Sequence, residues 1–234
     1  MTILRTEEHV VDRECGVLDV RGGDFDTALL IAGRIAAYQW NDCMGSIGQN
    51  LVRTTSSNPA LALANFRRSV ASAVPPDVSL AHHFAEAISL LASGKYLLQL
   101  DDRPFDTLVV ELEAHADSSI DRTGFYGDFR SLVATQPKTA LSLRTVQAHL
   151  SGIQRGLRPI AVTLSTVDSI SEFILDGHHK VKAYREAAVP IRILAICRLD
   201  AVQVDLADAL AFLPESGWLR DNLRTNKPEW RSET

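Results

Sequence analysis

Phe173-Ile174-Leu175-Asp176-Gly177-His178-His179-Lys180 is the stretch on which the fold turns. Apolar residues read as a strand running into Asp-Gly, and a helix begins at once. A helix N-terminus presents backbone N–H groups beyond the hydrogen-bond ladder and about half a positive charge. Glycine at that point lets another group approach the backbone closely. This is a geometry for phosphate. The first turn also departs from the usual preference for acids, because it carries His178, His179 and Lys180, with Lys182 just beyond. Such a departure is expected where an anionic ligand offsets it. On this reading Gly177, His178, His179 and Lys180 bind phosphate, Lys180 as a point charge and the histidines as donors. Asp176, at the strand end, holds a magnesium ion or orients a histidine. Adjacent helical residues point about 100° apart, which argues against one ion shared by His178 and His179. The plain alternative is a solvated Lys180 and a packed His179 at an ordinary strand–glycine–helix junction.

Outward from this stretch the punctuation is regular. Ser142 reads as the cap of a helix with Val146, Leu150 and Ile153 on one stripe, and Gly156 stops it. RPIAVTL (158–164) is a strand, EFILDG (172–177) the next, and HHKVKAYREAA (178–188) a short helix. VPIRILAI (189–196) is a further strand, its start marked by Pro190. Upstream, KYLLQL (95–100) and TLVVELE (107–113) are strand candidates. The polar run 114–140 is long for a structureless loop and is expected to hold short elements or function. Tyr126 and Arg130 within it read as loop anchors or as nucleotide or substrate contacts. Asp101-Asp102-Arg103 reads as a turn. After residue 200 one amphipathic helix is expected over 202–213, followed by a polar tail with Trp218 and Trp230.

The N-terminal part reads as mostly helical. Asp24 is expected to cap a helix over 25–42, with Ala28, Leu29, Ile31, Ala32, Ile35 and Ala36 at helical spacing. Asn58-Pro59 opens a second helix, ended by Pro75-Pro76. Ser79 opens a third over 79–93, with Gly94 as its C-terminal glycine. Arg67, Arg68, His82 and His83 fall on these helices and read as solvated or packed faces. The expected organisation is a helical region over 1–100, a mixed sheet domain over 101–200, and a helix and tail over 201–234: an α+β fold.

Composition narrows the function classes. With 46% hydrophobic and 23% charged residues among 234, the chain has the means to bury a core. Lys+Arg of 24 against Asp+Glu of 29 gives a net charge of −5, which disfavours nucleic acid as a partner. Cys15, Cys43 and Cys197 are too far apart for a C-x-x-C site and suit a reducing compartment. Charged residues interrupt MTILRTEEHVVDREC, so it does not read as a signal peptide, and no stretch is long enough to span a membrane. A cytoplasmic protein is expected, with its oligomeric state open. No Walker A loop, Rossmann glycine motif or Ser-His-Asp signature is present.

Taken together, VQAHLSGIQRG (146–156), RPIAV (158–162), FILDGHHKVKAY (173–184) and VPIRILAI (189–196) resemble the ParB/sulfiredoxin superfamily in order and spacing. The resemblance covers 143–196 and extends further if TLVVELE is the family's first strand. It implies a mixed sheet with a nucleotide-phosphate loop at D-G-H-H-K. Sulfiredoxins carry a cysteine where this chain has His178, so sulfinic-acid repair is not expected. Partition proteins of the ParB type carry G-E-R-R, bind CTP and continue into a helix-turn-helix, which the short tail here does not supply. The free-serine kinases, with D-G-H-x-R, are the branch most like this chain, although Lys180 stands where they have arginine and cannot form its bidentate fork. That likeness implies phosphate transfer from ATP or ADP, with Mg2+, to a small hydroxylated molecule such as a free amino acid. It also implies a glutamate base on the first strand, Glu111 or Glu113, which alternation puts on one face. Two other readings stay open. One is a nucleotide-gated regulatory protein without turnover, and the other a ParB-like nuclease, which the acidic charge disfavours.

Overall fold

The structure, a computed structural model, describes residues 1–12, 16–23, 25–42, 47–53, 77–115, 119–125 and 131–225. Among these, the elements follow in the order β1 (Thr2–Val11), β2 (Leu18–Gly22), β3 (Asp26–Ile31), β4 (Arg34–Asn41), β5 (Gly48–Arg53), α1 (Leu80–His83), α2 (Ala85–Ile88), β6 (Gly94–Arg103), β7 (Val109–Leu112), β8 (Ile120–Phe125), β9 (Ser131–Pro137), α3 (Leu143–Gln154), β10 (Ala161–Thr166), β11 (Ser171–Asp176), α4 (His178–Ala187), β12 (Ile191–Arg198), α5 (Leu206–Phe212) and α6 (Trp218–Thr225). A mixed sheet runs β1-β6-β12-β10-β11-β9-β7, and an antiparallel sheet runs β2-β3-β4-β5-β8. In the mixed sheet β12–β10, β11–β9 and β9–β7 are parallel, and the other pairs are antiparallel.

Three apolar clusters stack these parts into layers. Val20, Leu29, Ala37 and Val52 of the antiparallel sheet meet Leu98, Leu100, Val162, Leu164 and Leu194 of the mixed sheet in a shared core. On the outer face of the mixed sheet, Val146 and Ile153 of α3 and Val181 and Tyr184 of α4 cover Leu132, Ile174 and Ile193. On the outer face of the antiparallel sheet, Phe212, Leu219 and Leu223 of α5 and α6 cover Ala28, Leu30 and Tyr38. The central strands of each sheet are therefore buried on both faces, which favours continuous apolar runs over alternation.

That double burial explains the largest departure from expectation. Among the described residues of 1–53 the elements are strands and not helices: 25–42, expected as one helix, is the β3–β4 hairpin. Almost every residue of both strands is buried, so period alone cannot separate strand from helix. The hairpin turns at Ala32 and Gly33, both at positive φ (49° and 75°), as a tight turn between twisted strands requires. Asp24 and the segment opened by Asn58-Pro59 lie outside the described residues. Ser79 does cap α1, its hydroxyl accepting from the His82 N–H at 3.0 Å. Gly94 opens β6 and is not a helix C-cap. The expected boundary at residue 100 falls inside β6, which pairs with both β1 and β12.

Asp101-Asp102-Arg103 is likewise strand and not turn. The polar run 114–140 contains β8 and β9, whose Asp121, Ser131, Thr135 and Gln136 are buried. The polar tail holds α6, anchored through Leu219 and Leu223. From Ser142 to β12 the elements lie where the sequence puts them. Among the described residues no helix is long and apolar enough to cross a membrane.

Candidate functional site

β11 delivers Asp176 to the end of a fully buried strand, and Gly177 turns the chain into α4. Gly177 has φ +105°, and a Cβ there would sit 2.8 Å from the Ala161 Cβ and 2.9 Å from its Cα. Both the torsion and the close approach of β10 require glycine. The first intrahelical bond runs from Val181 N–H to Gly177 O at 2.8 Å, so the preceding N–H groups lie before the ladder begins. They border a cavity of about 540 Å³ whose other walls include Ser142, Thr145, His149, Arg155 and Arg158. Ser142 and Thr145 are the start of α3, so two helix N-termini meet at this cavity.

The histidines tie the helix starts in place. His179 Nε2 accepts from the Ser142 N–H at 2.9 Å, and His178 Nε2 accepts from the Thr135 N–H at 3.1 Å. A nitrogen that accepts an N–H carries no proton, so in this arrangement both rings are neutral with the proton on Nδ1. The expected donor role is therefore not the one their Nε2 atoms play. Thr135 is fixed in turn by its hydroxyl, which donates to Ile174 O at 2.6 Å.

Lys180 is not a solvated cation. It is 8% exposed, and its ammonium donates to Asp176 Oδ2 at 2.6 Å and to Ile160 O at 2.8 Å. Two of its three N–H bonds are thereby committed inside the protein. The same pair engages the carboxylate expected to hold magnesium. Among the described residues no group of three or more His, Cys, Asp or Glu is gathered for a metal ion. His149, beside this pair, has its pKa lowered, first by burial and then by the positive charge of Lys180.

The two glutamates part company. Glu111 lines a second cavity of about 430 Å³, together with Lys138, His178, Lys182 and Arg185. Glu113 lies elsewhere, its carboxylate 3.6 Å from Lys138 Nζ and 64% exposed, beside His115 and Arg122. His178 and Gln136 belong to the walls of both large cavities. Sequence reasoning passed over Gln136, near the end of β9, and Lys138, just after it, both within the polar run. The signal was present as a short Val-Ala-Thr core inside that run. Tyr126, Arg130, Arg67 and Arg68 lie outside the described residues. His83 stacks edge-on against Phe84 at 4.7 Å and lines neither cavity.

No family model, curated protein or solved structure matches the chain.

Proposed function

We propose that the protein binds a nucleotide by its phosphates at the N-terminus of α4 and transfers a phosphoryl group to a small hydroxylated molecule beside Glu111. The observation that carries this reading is the shared wall. One cavity gathers two helix N-termini and two arginines, the other holds an exposed carboxylate, and His178 and Gln136 stand between them. A transfer reaction needs such a pair of adjoining sites. The resemblance of 143–196 to the ParB/sulfiredoxin superfamily supports the assignment of nucleotide to the first cavity.

In this mechanism the N–H groups at the start of α4, with Arg155 and Arg158, neutralise the phosphate charge. Glu111 accepts the hydroxyl proton as the acceptor oxygen forms its bond to phosphorus. The bond from that phosphorus to the bridging oxygen breaks, and the departing nucleotide keeps the electron pair. The Asp176–Lys180 pair holds the loop and takes no part in the transfer. That same pair favours a second reading, a nucleotide-gated interaction protein without turnover, because it leaves the phosphate cavity without an open carboxylate.

Calorimetric titration with ATP, ADP and CTP, with magnesium, tests the binding half on the wild type and on Arg155→Ala. Binding that the substitution weakens about tenfold is expected from loss of one phosphate contact. Glu111→Gln should keep binding and lose phosphate transfer. Absence of binding by all three nucleotides overturns both readings, and binding without turnover in the wild type selects the second.

A further inference from the structure

The sides of the Glu111 cavity are chemically unlike, and the contrast defines what fits there. Its floor is apolar, formed by Val109, Leu112, Leu141, Ile174 and Val181. Val181 and Ile174 are also part of the α3–α4 core, so this floor is rigid. Phe105 stands at the rim with 43% of its surface exposed. One wall is α4, where Glu186 also borders the cavity and Lys182 and Arg185 stand three residues apart and so on one helix face. Neither side chain makes an ion pair or hydrogen bond among the described residues, although Lys182 is half-buried. The facing wall is β7 with Glu111, whose carboxylate also has no partner among them, and Asp106 borders the cavity beside Phe105. Lys138, by contrast, is drawn toward Glu113.

We infer that this cavity takes an organic anion with an apolar body, of the size of an aryl hydroxy acid. The two cations of α4 meet the carboxylate of such a ligand, the apolar floor receives its ring, and Glu111 receives its hydroxyl. The cavity volume of about 430 Å³ lies in the range of pockets for ligands of that size. A three-carbon hydroxy or amino acid reaches the polar walls but leaves the floor uncovered, and a neutral aryl alcohol covers the floor but leaves both cations unmatched. The inference deepens the proposed phosphoryl transfer by naming the class of acceptor. The role as acceptor rests on that reading; the occupancy of the cavity does not.

Titration of the full chain, without nucleotide, with 3-phenyllactate, lactate, serine and 2-phenylethanol tests it. Phenyllactate should bind at least about tenfold more tightly than each of the others, the equivalent of one good charged contact or a buried ring. Lys182→Gln and Arg185→Gln should each weaken phenyllactate several-fold, and Arg185→Lys should retain most of the affinity. Both positions are at the surface of α4, and unchanged thermal unfolding shows that the helix is intact. Equal binding of lactate or serine, no binding of phenyllactate, or binding indifferent to both substitutions overturns the inference. Because nucleotide is absent, loss of the phosphate-site reading leaves this result standing, and the converse also holds.

Discussion

Two buried ionic clusters lie on the same helix-covered face of the mixed sheet, four residues apart on β11. Near its start, Glu172 accepts from Arg103 Nη2 at both carboxylate oxygens, 2.9 Å each, and from the Thr163 hydroxyl at 2.6 Å. Arg103 also donates from Nε to Asp101 at 3.1 Å, and Gln99 completes that carboxylate at 2.8 Å. At the end of β11, Asp176 meets Lys180. Both clusters are nearly inaccessible, yet of the two only the second lines the cavity of about 540 Å³, beside a glycine at positive φ and a helix start. The first joins β6, β10 and β11 and lines neither large cavity. Burial of charge is thus common to both, and access is what separates a site from a staple.

The first cluster also shows what enclosure does electrostatically. Burial pushes the Asp101 carboxyl up, against the pull of Arg103 and the Gln99 hydrogen bond, and the nearby Glu172 charge adds a smaller push in the same direction. The largest expected effect in the molecule follows from removing that guanidinium. Arg103→Met should cost about 3–5 kcal/mol in urea unfolding, since two buried carboxylates lose their cation. A cost below about 1 kcal/mol would show that water reaches the cluster and would erase the distinction from Asp176.

Lys180→Met is the matching experiment at the other cluster. It removes the buried cation from Asp176 beside a cavity that water can fill, so about 1–3 kcal/mol is expected, less than at Arg103. Equal costs in the same unfolding series would break the comparison. A smaller cost together with weakened nucleotide binding would sharpen it, because the pair would then hold the loop in shape for a ligand.

How much of this was legible depends on where the chain is punctuated. Ser142, Gly156, Gly177 and Pro190 mark element ends by local chemistry, so the run from α3 to β12 could be read directly. The β3–β4 hairpin could not, because burial on both faces removes the alternation that identifies a strand. β8 and β9 were hidden by polar residues such as Asp121, Thr135 and Gln136; the Thr135 hydroxyl finds its partner, Ile174 O, only across the sheet on β11. Asp101 and Arg103 look like turn residues beside Pro104 until Glu172, far along the chain, is brought across the sheet. The same limit applies to the candidate site. The D-G-H-H-K loop announces itself, but nothing local says that Lys180 turns inward or that Glu111, and not Glu113, shares a cavity with His178.

The smallest expected effect probes the field between the Asp176–Lys180 pair and the phosphate cavity. His149 titrates below its ordinary value of 6.5 because burial and the Lys180 charge both disfavour the imidazolium. A histidine whose folded pKa is lowered binds fewer protons folded than unfolded, so its share of stability is present above the unfolded pKa. That share is lost as the pH falls from about 6.5 toward the folded value. His149→Gln should therefore flatten the stability profile between pH 7 and 5. NMR titration of the His149 ring separates the two causes. In Lys180→Met the cation that lowers the pKa is gone while the Asp176 carboxylate, which raises it, remains, so the pKa should rise toward 6.5. An unmoved His149 would mean that water in the cavity screens the pair, which makes the cavity a solvated basin and assigns the lowered pKa to burial alone.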